Sequence, residues 1–224
     1  MYKLCIFDLD GTVLNTIGGL THALNAALAK NGLPEKSREE VTLMIGNGTR
    51  KLIERAVSGL PGGDELFAKV LADYREFYDA NYSYDTYPYD GIPGMLKALN
   101  DAGVKCAVVT NKPDLPAKGL IEENFGELIA VTYGNVPDVP VKPDPTFVFR
   151  VMDEFGLEAS DCCYIGDSDV DIKTARNAGI DAVSVDWGFR THEFLLKSGA
   201  QIIFSEPSEL LRYLLDDPMI SAIL

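Results

Sequence analysis

Four nearly uninterrupted apolar runs punctuate the chain, each stopping at a polar residue or a turn. They are Leu4-Cys5-Ile6-Phe7 before Asp8, Cys106-Ala107-Val108-Val109 before Thr110, Cys162-Cys163-Tyr164-Ile165 before Gly166-Asp167, and Ala182-Val183-Ser184-Val185 before Asp186. Helical stretches separate them. Runs that are apolar throughout, rather than at alternate positions, suit strands covered on both faces. The pattern therefore predicts an α/β fold with a doubly wound, mostly parallel sheet. In such sheets ligands bind beyond the carboxyl ends of the strands, where Asp8, Thr110 and Asp167 would project.

Between the first and second runs lies a long segment without a convincing strand. Leu20, Leu24 and Leu28 recur at four-residue spacing beside Ala23 and Ala27, and Asn31-Gly32 before Pro34 reads as a helix stop. Ser37 with Glu40 forms a capping box for a second helix. Phe67, Val70, Leu71, Tyr74, Phe77 and Tyr78 mark one face of another, a stripe read as ordinary core. The chain returns through Asp85 to Gly94. The predicted organisation is a sheet domain over 1–15 and 86–224, interrupted by a helical block over 16–85. Two strand-like connections near the active edge are the layout of a lid.

At 224 residues and 46% hydrophobic content the chain can bury a substantial core. Its formal net charge of −14 argues against a nucleic-acid backbone or an anionic membrane as partner, but leaves room for a small phosphate ester held at a local positive site. Cys5, Cys106, Cys162 and Cys163 lack any C-x-x-C spacing and sit in apolar runs, so they read as reduced core thiols. No stretch approaches a membrane span and the first apolar run has no signal-peptide profile, so a cytoplasmic location is expected. His22 and His192, far apart, offer little for a zinc site or a histidine-based nucleophile system.

Asp8-Leu9-Asp10-Gly11-Thr12 places two carboxylates two residues apart at a strand end, followed by a glycine that lets the chain turn. Such a pair is stable mainly around a cation or a shared proton; a simple strand-ending Asp-Gly turn is the alternative. In Gly166-Asp167-Ser168-Asp169-Val170-Asp171, Asp167 would emerge beside that pair as another donor for a hard octahedral cation, with Asp171 within the first helical turn. Asp169 is expected to cap that helix, leaving Asp167 and Asp171 for metal work. Thr110-Asn111-Lys112-Pro113, where a strand is expected to pass into a loop, is a natural cradle for phosphoryl oxygens or a mere polar turn. Lys142, framed by Pro140, Pro143 and Pro145, has a backbone stiff enough to hold its ammonium in place.

These four segments, in this order, resemble the haloacid dehalogenase superfamily, whose signatures are D-x-D-G-T, a strand-end Ser or Thr, a later Lys and G-D-x-x-x-D. The resemblance covers essentially the whole chain. The helical block looks like that superfamily's C1-type cap on its Rossmann-like core. Ile45-Gly46-Asn47-Gly48-Thr49, Val109-Thr110-Asn111-Lys112-Pro113 and Trp187-Gly188-Phe189-Arg190 look like its phosphoglycolate phosphatase branch. Asn15 departs from the family's usual Asp, yet still suits a helix start.

The resemblance implies a Mg²⁺-dependent phosphatase. Asp8 would attack phosphorus to give an aspartyl-phosphate, and Asp10 would serve first as acid and then as base. Mg²⁺ would be held by the Asp8 carboxylate, the Asp10 carbonyl and Asp167, with Asp171 a further candidate. Thr110 and Asn111 would bind phosphoryl oxygens, and Lys142 would offset the charge. The expected partner is a small phosphorylated metabolite, and the protein is expected to be a monomer or homodimer. In the helical block, Gly48, Thr49 and Arg50 are the candidate substrate residues, Arg50 pairing with a carboxylate such as that of 2-phosphoglycolate; the alternative is a helix–helix turn with Arg50 in solvent. The rival readings are a sugar phosphomutase of the same superfamily and a receiver-like phospho-signalling module, which has no reason to carry a large lid.

Overall fold

The computed structural model describes residues 1–215; the apolar tail Pro218–Leu224 lies outside the described residues. Its centre is a six-stranded sheet in the order β5-β4-β1-β6-β7-β8, every neighbouring pair parallel. The strands are β1 (Leu4–Phe7), β4 (Lys105–Pro113), β5 (Val131–Asn135), β6 (Cys162–Gly166), β7 (Asp181–Val185) and β8 (Ile203–Phe204). β2 (Leu14–Asn15) and β3 (Tyr87–Pro88) pair antiparallel as a separate ribbon.

All four residues of β1 are buried, and their side chains divide between two cores. Cys5 and Phe7 pack with α5 (Ile92–Asp101), α6 (Asp114–Asn124) and α10 (Pro207–Leu214). Leu4 and Ile6 pack with α7 (Thr146–Phe155) and α8 (Asp169–Ala178). A strand buried on both faces has no polar positions to spare, so its sequence is continuously apolar. All four cysteines are free and buried within these two layers. The short helix α9 (His192–Lys197) follows β7.

The helical insertion comprises α1 (Ile17–Lys30), α2 (Arg38–Met44), α3 (Gly48–Ala56) and α4 (Gly63–Asn81). It has its own core, with Leu24, Leu28, Ile53, Val70, Tyr74 and Tyr78 at its centre. Each fully buried leucine there contributes about 1.5–3 kcal/mol of transfer free energy. The Ser37–Glu40 capping box opens α2 as expected, and α1 ends at Asn31 with Gly32 at φ +68°. Thr16, not Asn15, occupies the cap of α1, while the Asn15 side chain accepts a bond from the Ile17 amide at 3.3 Å.

Two features depart from the sequence reading. β4 runs through Thr110 to Pro113 with a register shift after Val109, so the expected loop is an irregular strand extension. β5 and β8 had no apolar run to announce them. β5 alternates buried with half-buried residues and β8 is two half-buried residues long, as outer strands allow. As expected of a doubly wound sheet, the chain passes from β1 to β4 and β5 on one side, then crosses to β6 on the other, so the sheet's switch point falls at the end of β1.

Candidate active site

That switch point is where a doubly wound sheet opens a crevice at its carboxyl edge. Asp8 leaves β1, Thr110 and Asn111 lie near the end of β4, and Asp167 leaves β6. A cavity of about 50 Å³ forms there, with Asp8, Asp10, Thr110, Asn111, Lys112 and Asp167 among its lining, and the insertion closing it from above through Ile45, Gly46, Gly48, Thr49, Tyr74 and Tyr78.

Asp8 is buried, and Lys142 reaches it at 2.9 Å. The same ammonium meets Asp171 Oδ1 at 2.8 Å and donates to the Tyr164 hydroxyl at 2.8 Å, which in turn donates to the Val109 carbonyl. Burial would lower the Lys142 pKa, but Asp171 and Asp8 outweigh it and hold the ammonium charged. Asp8 Oδ1 also accepts the Leu9 amide at 2.7 Å, leaving Oδ2 without a partner among the described residues. Burial pushes the Asp8 carboxyl up to about 6, with Lys142 opposing and the charges of Asp171 and Asp10 adding to the rise.

Asp167 is buried, and among the described residues no ammonium or guanidinium bonds to it. It accepts the Phe189 amide at 2.7 Å and the Thr12 hydroxyl at 3.3 Å. Burial, then the charges of Asp171 and Asp8, raise it well above the carboxylate range; the Phe189 amide and the Arg190 charge oppose this. Carboxylate oxygens of Asp8, Asp167 and Asp171 all lie within 4.8 Å of one another. Three buried carboxylates in so small a volume, one of them with no cationic side chain, form an oxygen donor set suited to a hard divalent cation.

Asp171 takes the capping part the sequence suggested for Asp169 and keeps its place in the carboxylate cluster. Asp171, not Asp169, closes the capping box of α8, its Oδ2 accepting the Ser168 amide at 3.0 Å and hydroxyl at 2.6 Å. Asp169 pairs with Lys173 one turn on. Reciprocal capping from the third helical position suits Asp171, and its other oxygen is then turned to Lys142. Asp10 stands apart from the carboxylate cluster, its Oδ1 held by Lys112 at 2.6 Å.

Asn111 ties three pieces together. Its Oδ1 accepts the Lys142 amide at 2.8 Å, and its Nδ2 donates to the Lys142 carbonyl at 3.2 Å and to the Gly46 carbonyl of the insertion at 3.3 Å. Thr110 accepts the Lys112 amide at 3.3 Å. Gly48 and Thr49 line the cavity, whereas Arg50 does not: it is exposed and lies over the Phe67 ring at 4.8 Å. Two cations missing from the sequence-derived site stand in the cavity wall, Lys112 and Arg190. Both belong to short motifs already singled out, but only the folded chain shows their partners.

Glycine decides how closely the Trp187–Arg190 loop packs on the first motif. Gly11 has φ +87° and a side chain there would come within 2.5 Å of Asp167; one at Gly188 would collide with the Gly11 carbonyl. The Trp187 indole donates to the Thr12 carbonyl at 3.0 Å and fixes the loop.

A family model described as haloacid dehalogenase-like hydrolase matches residues 5–185. The chain is 33% identical over 217 residues to a phosphoglycolate phosphatase of Rhodospirillum rubrum, covering 94% of this chain and 90% of that one. It is 34% identical to one of Thiobacillus denitrificans, with 84% of each covered. A solved structure from Lactobacillus delbrueckii subsp. bulgaricus, provisionally named as a phosphoglycolate phosphatase, superposes with a TM-score of 0.90 at 32% identity, covering 95% of this chain and 98% of that chain. Sheet order, carboxylate cluster, matched span and near full-length similarity agree: this chain belongs to the haloacid dehalogenase-like hydrolase family, and within it resembles the phosphoglycolate phosphatases.

Proposed function

We propose that the protein is a Mg²⁺-dependent phosphatase that hydrolyses a small phosphate monoester, 2-phosphoglycolate or a close analogue, through an aspartyl-phosphate on Asp8. The observation that carries this reading is the buried grouping of Asp8, Lys142, Asp167 and Asp171 at the sheet's switch point, under a helical insertion that leaves little space. Near full-length similarity to phosphoglycolate phosphatases supports a two-carbon leaving group over a hexose.

Asp8 attacks phosphorus in line as the bond to the leaving oxygen breaks. Lys142 holds the nucleophile by one oxygen and leaves the other to react. Asp10 gives a proton to the departing alkoxide, then takes one from the water that attacks the aspartyl-phosphate; the new bond to phosphorus releases Asp8 and inorganic phosphate. Lys112 fixes the Asp10 carboxylate by Oδ1. Thr110 and Asn111 border the phosphoryl position, and the insertion, acting as a cap, excludes bulk water. Asp8, Asp167 and the Asp10 carbonyl would hold Mg²⁺, with Asp171 beside them. The ion supplies charge neutralisation for the phosphoryl oxygens.

A phosphate-release screen over small esters, with and without Mg²⁺, tests the reading. Turnover is expected only with the metal, and kcat/KM for 2-phosphoglycolate should exceed that for glucose 6-phosphate by ~100-fold or more. Equal rates on the two esters, or return of the phosphoryl group to a sugar, would reject the substrate assignment.

A stability experiment probes the metal site separately. Asp8 has a folded pKa of about 6 against an ordinary 3.8, so the folded state binds more protons than the unfolded state between those values. Metal-free stability should fall as pH rises from about 4 to about 6, and Asp167, raised in the same direction, adds to the fall. Mg²⁺ should therefore raise Tm by several degrees at pH 7.5 and by much less at pH 5. A Mg²⁺-induced shift as large at pH 5 as at pH 7.5 would contradict this.

A further inference from the structure

Two cationic side chains line the cavity, and they differ in how their charge is met. Lys112 is neutralised by Asp10 at 2.6 Å. Arg190 has no carboxylate partner among the described residues. Its Nη1 donates to the Thr42 carbonyl at 2.7 Å and, at 3.5 Å, to the Phe189 carbonyl; its Nη2 donates to the Ile45 carbonyl at 2.8 Å, and its guanidinium lies 5.7 Å from the Phe194 ring centroid. These partners fix the group's position without cancelling its charge.

A guanidinium has more N–H donors than those carbonyls use, and its planar fork matches a carboxylate. Arg50, the residue the sequence offered for that task, lies outside the cavity over Phe67. We propose that Arg190 is the specificity-determining residue of this site: held by the carbonyls that end α2, it receives the carboxylate of the leaving group, so the substrate class is phosphate esters of small hydroxy acids. This rests on the phosphatase reading above. Because Arg190 belongs to the sheet domain and its anchors to the insertion, the receptor is complete only when the insertion is docked.

The test compares 2-phosphoglycolate with 2-hydroxyethyl phosphate, which has a neutral leaving group of similar size, in the Mg²⁺-loaded wild type, Arg190→Gln and Arg190→Lys. Wild type should prefer 2-phosphoglycolate. Arg190→Gln should lose about 100-fold in kcat/KM on 2-phosphoglycolate but less than about 10-fold on 2-hydroxyethyl phosphate, erasing the preference; Arg190→Lys should recover part of it. Equal losses on both esters in Arg190→Gln would make Arg190 a cap clasp only and overturn the proposal while the phosphatase reading stood. A wild type that hydrolyses neither ester would instead remove the phosphatase reading, and this inference with it. Because the readout is a ratio between two esters, it is unaffected by partial loss of folded enzyme.

Discussion

Replacing Asp8 with asparagine is expected to abolish phosphate release, with a loss of at least ~10⁴-fold, while the protein remains folded. The amide keeps the shape of the side chain and an oxygen to receive Lys142 and the Leu9 amide, so the packing around β1 survives. It cannot form the acyl phosphate. The ionised carboxylate costs the metal-free fold stability above its raised pKa, so Asp8→Asn should be as stable as wild type at pH 7.5, or more stable, and should lose part of the pH dependence between about 4 and 6. Phosphate release at close to the wild-type rate would remove Asp8 as nucleophile. A collapsed fold would instead mean that the carboxylate is structural.

Lys142→Met should do the opposite, striking stability as well as rate. Lys142 is the only cation bonded to Asp8 or Asp171 among the described residues, and all three side chains are buried. Methionine fills the volume and removes the charge, leaving two buried carboxylates without a counter-ion and the Tyr164 hydroxyl without its donor. Removing one partner from a buried pair costs about 3–5 kcal/mol, which in a chain of this size lowers Tm by roughly 6–20 °C. The loss should be smaller at pH 5 than at pH 7.5, since protonating Asp8 relieves the uncompensated charge. Thermal unfolding at both pH values decides it; a drop below about 1 kcal/mol at pH 7.5 would show that Lys142 is not what balances the site.

Much of the fold was legible because burial on two faces leaves a plain mark in sequence. The boundaries of β1 follow directly from the run Leu4–Phe7, and the Ser37–Glu40 box announces α2 because capping is a local transaction between residues three apart. β5 and β8 left no such mark. Outer strands are covered less completely and can carry mixed residues, so their pairing is settled by the neighbours β4 and β7 rather than by their own pattern.

The sequence by itself determined the inner strands and the helical insertion and offered the acids and the lysine as candidates, because periodicity, capping and strand-end placement are encoded within a few residues. Only the tertiary structure decided how those groups divide the work. Asp171 turned out to be both helix cap and Lys142 partner, Lys112 met Asp10 across 102 positions, and Arg190 rather than Arg50 entered the cavity. A charge's partner depends on distances in space, and chain separation carries no record of them.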